Sequence, residues 1–117
     1  FPYTTLFRSA CELIQGRHNF RAFCRAGECP EDPYRNIDSL KLRNRGRLSI
    51  ISVKAPSFLT NMVRIIVGNI NSVALGKNNL SWLDGLLSGG ERSDSAMTVP
   101  ACGLWFWRVN YNNNILC

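Results

Sequence analysis

Residues Phe58–Gly68 read FLTNMVRIIVG, an apolar run broken by one arginine, and the rest of the chain is arranged around them. Leu59, Met62, Val63, Ile66, Val67, Ile70, Val73 and Ala74 recur at helical spacing and predict one apolar face. Ser57 follows Pro56, a residue that does not continue a helix, and stands where an N-cap belongs. Asn61, Arg64 and Gly68 form a narrow polar row on the other side. A glycine inside a helix costs about 1 kcal/mol relative to alanine, which points to a close approach on that row. By itself the pattern also suits an ordinary amphipathic helix whose arginine reaches solvent.

Working outward, the chain of 117 residues is long enough for one domain with a single modest core. A net charge of +6 and a pI near 9.4 fit a polyanionic partner. No apolar run of about 18 residues predicts a membrane span, and Arg8 interrupts the only N-terminal apolar stretch, against a secretory signal. The five cysteines, Cys11, Cys24, Cys29, Cys102 and Cys117, are odd in number and lack paired spacing, against a secreted disulfide framework. Cys24 and Cys29 with His18 lack a second close ligand pair, so the expectation is free thiols, no metal and a cytoplasmic protein. There is no phosphate-binding glycine loop, no G-x-S-x-G and no close carboxylate pair.

Upstream of the central run, Ala10–Phe23 predicts a helix with Leu13, Ile14, Phe20 and Phe23 as anchors, Gly16 breaking it, and Ser9 and Glu12 as a capping box. His18 fits a hydrogen-bonded structural histidine better than a general base. Arg25–Tyr34 is a loop marked by Gly27, Pro30 and Pro33. Leu40 and Leu42 alternate with Lys41 and Arg43, and after the turn Asn44-Arg45-Gly46 the run Leu48–Val53 is rich in β-branched residues, so a hairpin is expected. Arg35, Lys41, Arg43, Arg45 and Arg47 gather there against Asp38 alone. The cluster suits a solvated sheet edge and, equally, phosphate contact along an RNA backbone.

Downstream, Asn78–Leu80 is a turn, Ser81–Leu87 a short helix stopped by Gly89-Gly90, and Ser88–Val99 a polar surface loop. Gly103–Tyr111 predicts a last strand, with Trp105 and Trp107 on one face, suited to burial against another layer or to base stacking. The order predicts an α+β domain, an antiparallel sheet with helices packed on one face, over residues 10–111, followed by a tail at 112–117.

The strings themselves carry a resemblance. FLTNMVRIIVG followed by Gly76-Lys77 resembles the "FLxNMVRxxVGxLxxVGxGK" signature of the TruA-type tRNA pseudouridine synthases. Gly16–Phe23 is similar to that family's "GxHDFxAF", with Asn19 where the family has aspartate, and Arg35-Asn36-Ile37 to its "RTI". Glu91-Arg92-Ser93 through Thr98, Pro100, Ala101, Gly103 and Leu104 is similar to its "DRSxAGPTAPAxGL". The four blocks keep the family's order and cover only its C-terminal half.

The resemblance implies half of a pseudouridine synthase fold from an enzyme that isomerises uridine to pseudouridine in the tRNA anticodon stem-loop, without metal or cofactor, as a homodimer. It implies that Arg64, in the "NMVR" block, orients a catalytic aspartate, and that Leu104 after Gly103 packs at the target base. The aspartate belongs to an arginine-x-aspartate motif of the N-terminal half, which this chain lacks, so no catalytic residue is assigned here and the chain alone is expected to be inactive. Asp94, in Arg92-Ser93-Asp94, falls at a variable position of the wrong block. Phe1–Ser9, FPYTTLFRS, has no counterpart in the signature and is similar to a translated sequencing-library adapter, which sets the expected native start near Ala10. The second functional reading is a non-catalytic basic RNA-binding module.

Overall fold

The computed structural model describes residues 4–46, 48–96 and 98–99. The first helix, α1, spans Thr4–Ile14. It therefore starts earlier and stops sooner than the expected Ala10–Phe23. Ser9 and Glu12 lie inside it and cap nothing at its start. Gly16, at φ +100°, breaks the helix as its position predicts. Gly16–Asn19 then runs as strand β1, and Arg21–Phe23 forms a single 3-10 turn. Ile14, Phe20 and Phe23 are completely buried, and Leu13 packs at the core's margin.

After the loop, β2 (Tyr34–Ile37) pairs antiparallel with β1, from Gly16↔Ile37 to Asn19↔Tyr34. Asp38 separates it from β3 (Ser39–Arg45), which pairs with β4 (Leu48–Lys54) from Ser39↔Lys54 to Arg45↔Leu48. The Asp38 N–H donates to the Lys54 carbonyl at 2.8 Å, so the ladder of the hairpin starts at the hinge itself. The described strands thus form two two-stranded antiparallel sheets rather than one. In the hairpin, Leu40 is buried, Leu42, Ile51 and Val53 are half-buried, and Lys41 and Arg43 are exposed, which is the predicted alternation.

The central helix, α2, spans Met62–Ala74, and α3 spans Leu80–Leu86. The Asn79 side chain caps α3 by accepting from the Trp82 N–H at 2.8 Å. Gly89, at φ +114°, takes the chain away after it. Helix α1 packs against α2, α3 and β3. The core between them joins Ala10 and Ile14 of α1, Phe20 and Phe23, Ile37, Leu40, five side chains of α2 and Leu83 and Leu86 of α3. This is an α+β arrangement of helices over small antiparallel sheets. Among the described residues no helix is long and apolar enough to cross a membrane.

The buried side of α2 is turned relative to the expectation. Met62, Ile66, Ile70, Val73 and Ala74 are buried as predicted. Ile65, Asn69 and Ser72 are buried too, while Val63 and Val67 are only half-buried. The chain after α3 is bonded to α2 on that side, through Ala96 to Asn69 and Val99 to Arg64. The expected strand Gly103–Tyr111, with Trp105 and Trp107, and the tail lie outside the described residues.

Candidate active site around Arg64

The entry to α2 is built by an unusual backbone. Ser57 is not its cap; the helix begins four residues later, with Asn61 as N-cap at φ 62°, ψ 10°. Asn61 is the non-glycine residue in the left-handed region among those described, and asparagine tolerates that region better than most side chains. A tight turn precedes it, in which the Met62 N–H donates to the Leu59 carbonyl at 3.1 Å. The Asn61 carbonyl accepts the Ile65 N–H at 3.0 Å. Its side chain makes no capping bond. It is used instead by Arg64, whose Nη1 donates to Asn61 Oδ1 at 3.3 Å.

Arg64 is half-buried one turn into the helix. Its Nε donates to the Val99 carbonyl at 2.9 Å, and the Val99 N–H donates back to the Arg64 carbonyl at 3.4 Å. The guanidinium is therefore held from two sides, by Asn61 before it and by Val99 from a distant segment. Among the described residues the ion pairs are Arg21–Glu91 at 3.4 Å and Arg25–Glu28 at 3.0 Å, and none involves Arg64. A guanidinium carries five donors in a rigid fork, and two are committed here. The arrangement can present the remaining edge to a carboxylate, hold that carboxylate ionised and fix its orientation.

The segment that supplies Val99 is itself tied down. After the 3-10 turn Arg92–Asp94, Arg92 Nη1 donates to Ser95 Oγ at 2.6 Å and to the Ala96 carbonyl at 3.0 Å, and Nη2 donates to Thr98 Oγ1 at 2.9 Å. The Ala96 N–H donates to Oδ1 of Asn69, a fully buried residue of α2, at 3.0 Å. Asn69 Nδ2 donates to the Ile65 carbonyl at 2.7 Å. Neither Asn69 nor Asn61 was singled out as a support from sequence. A polar residue four places after Ile65, on what turns out to be the buried side, was the signal available. Arg92 stood inside a recognised block without a role.

The other predicted residues fall as follows. Gly103 and Leu104 lie outside the described residues. Lys41 and Arg43 project from the outer face of β3, Arg45 lies at the strand's far end, and Arg47 is outside the described residues. Arg35 is not on the hairpin but on β2; it is half-buried, and its Nη1 donates to the Asp32 and Tyr34 carbonyls at 2.8 and 2.7 Å. Asp94 is exposed, and its Oδ2 accepts the Glu91 N–H at 3.0 Å, closing the 3-10 turn. His18 is half-buried, its Nε2 donating to the Gln15 carbonyl at 2.9 Å and its ring edge-on to Phe20. Asn19, in place of an aspartate, still caps a turn by accepting the Arg21 N–H at 3.1 Å. Cys11 and Cys24 are buried and Cys29 exposed, all three as free thiols.

The model of the tRNA pseudouridine synthase family matches residues 10–112. The chain belongs to that family. Among curated relatives, it is 42% identical over 106 residues to tRNA pseudouridine synthase A of Citrifermentans bemidjiense, a match covering 89% of this chain and 42% of the relative. It is 36% identical over 104 residues to tRNA pseudouridine synthase A of Clostridium botulinum, covering 89% and 43%. The protein of the same name from Geobacillus kaustophilus is 33% identical over 118 residues, covering 98% and 46%. The chain therefore spans less than half the length of the curated relatives it matches. The two small sheets and three helices fit a partial pseudouridine synthase fold.

Proposed function

We propose that this chain is the C-terminal half of an enzyme that converts uridine to pseudouridine in the anticodon stem-loop of tRNA, in the cytoplasm and as a homodimer when complete. Arg64 orients and keeps ionised an aspartate supplied by the N-terminal half, Leu104 beside Gly103 packs against the target base, and the basic hairpin with Arg35 contacts phosphates. The target base has to leave its stack to reach such a pocket. The aspartate then attacks the ribose or takes a proton from it, the N-glycosidic bond breaks, and uracil rotates and rejoins through carbon. A carboxylate in a dry pocket is costly unless paired, and a preset guanidinium meets that cost.

The observation that supports this most is the Arg64 guanidinium itself: half-buried, held by Asn61 and Val99, and without a carboxylate partner among the described residues. The experiment is to extend the reading frame upstream of Ala10 and assay pseudouridine formation on tRNA by the intact protein and by this chain alone. An upstream arginine-x-aspartate motif, activity of the intact protein and none from the chain alone are expected. Pseudouridine made by the chain alone would refute the proposal. Salt-sensitive tRNA binding without any such motif would favour the non-catalytic RNA-binding module.

A further inference from the structure

We propose that Arg92 and Asn69 are positioning residues for the Arg64 guanidinium, acting through the segment 95–99. Arg64 reaches the Val99 carbonyl, and Ala96, Thr98 and Val99 have no strand pairing among the described residues, so something other than regular structure has to fix that carbonyl. Two groups do. Arg92 spends three hydrogen bonds on Ser95, Ala96 and Thr98, all within six residues of itself. Asn69 receives the Ala96 N–H from the side of α2. Five residues of helix separate Arg64 from Asn69, about 7.5 Å along the axis at ~1.5 Å per residue. Three residues separate Ala96 from Val99, about 10 Å if fully extended. Ala96 and Val99 therefore meet α2 at Asn69 and Arg64, in the reverse order along the helix.

Asn69 makes the case against a merely cosmetic loop contact. It is fully buried on α2, whose buried residues include Ile65, Ile66, Ser72 and Val73, and an unsatisfied amide there is costly. Both ends of its amide are used, one on its own helix and one on Ala96. A fully satisfied buried polar group of this kind selects one arrangement of its neighbours. Here the selected arrangement is the height of segment 95–99 on α2, and with it the place of the Val99 carbonyl. Arg92 holds Ser95, Ala96 and Thr98 through its three hydrogen bonds, and no ion pair among the described residues involves it.

That this placement serves chemistry rests on the reading of Arg64 given above; that it places the guanidinium does not. The test uses the intact protein labelled with 15N at arginine side chains, with the Arg64 Nε–H resonance assigned by its loss in Arg64→Lys. In Arg92→Gln, solvent exchange of that proton is expected to rise about tenfold, the equivalent of one to two net hydrogen bonds. Thr98→Val, a near-isosteric change that removes only one acceptor, gives a smaller rise in the same direction. Turnover falls as exchange rises, while KM for tRNA stays within about twofold. Asn69→Leu repeats the result if that variant folds. An Arg64 exchange rate unchanged in both Arg92→Gln and Thr98→Val overturns the proposal, whatever happens to turnover. Faster exchange together with full turnover in Arg64→Lys upholds the placement and removes the functional reading of Arg64 instead.

Discussion

Asn61 offers a measurement that separates a backbone effect from a side-chain effect at one position. Its φ of 62° puts it in the left-handed region, and its Oδ1 accepts from Arg64. Alanine removes the acceptor, about 1 kcal/mol, and places a Cβ in a conformation that costs an ordinary L-residue ~1–2 kcal/mol. Glycine removes the same acceptor but accepts the backbone without strain. Asn61→Ala should therefore cost about 2–3 kcal/mol and Asn61→Gly about 1 kcal/mol before the unfolded-chain entropy is counted. The glycine variant regains the difference in spite of the greater freedom it gives the unfolded chain, which takes back ~0.4–1 kcal/mol. With a urea slope of about 2 kcal/mol per molar, a net gap near 1 kcal/mol separates the two midpoints by about 0.5 M at equal slope. Equilibrium urea unfolding of the intact protein reads it directly. A glycine variant as unstable as the alanine variant would refute the left-handed entry to α2 and, with it, the account of how Arg64 is presented.

The remaining expectations concern other parts of the molecule. Gly89 sits at φ +114°, and a Cβ there would lie 3.1 Å from Asn19 Nδ2, whereas one on Gly85 in α3 would meet nothing within 4 Å. Gly89→Ala should cost ~1–3 kcal/mol in thermal unfolding, and Gly85→Ala should be neutral or stabilise by up to about 1 kcal/mol. Burial pushes the Cys11 thiol up to about 11 from an ordinary 9.0. The folded state keeps this proton where the unfolded chain loses it, so the contribution to stability is complete below 9.0 and disappears as pH rises through about 11. Alkylation at neutral pH should accordingly label exposed Cys29 well before buried Cys11. Lys41→Ala and Arg43→Ala should leave stability unchanged and each lower the slope of log tRNA affinity against log salt by about one; an unchanged slope would remove the hairpin from the RNA contact.

What could be foreseen from sequence was what short-range patterns dictate. The period-two alternation of Leu40 to Arg43 pointed to the hairpin, and Gly16 and Gly89 marked real breaks because glycine takes readily the positive φ both have. Strand β1 was missed since Gly16–Asn19, GRHN, has no strand propensity of its own; its pairing with β2, across a loop, makes it a strand. Ser57 looked like a cap because Pro56 precedes it, yet the turn through Leu59 and Met62 delays the helix to Asn61. Arg64 was singled out through its motif. Its supports were not, because Asn69 and Arg92 act on a segment about 30 residues away in sequence or within an irregular loop, and neither relation leaves a periodic trace.

The hairpin of β3 and β4 is buried at its base, where Leu40 meets the core, and sheds cover toward its far end. Seven residues at ~3.3 Å each make a finger about 23 Å long, rooted where Asp38 enters β3, where β4 leaves through Ala55, and where β3 packs against α1. On this length a tilt of about ten degrees would displace the fingertip by ~4 Å, and it would have to be taken up at the root, where Leu40 and Ile37 share the core. The finger is thus a cantilever: Lys41 and Arg43 stand on its exposed outer face, clear of the core, while its apolar face is anchored at the root by Leu40.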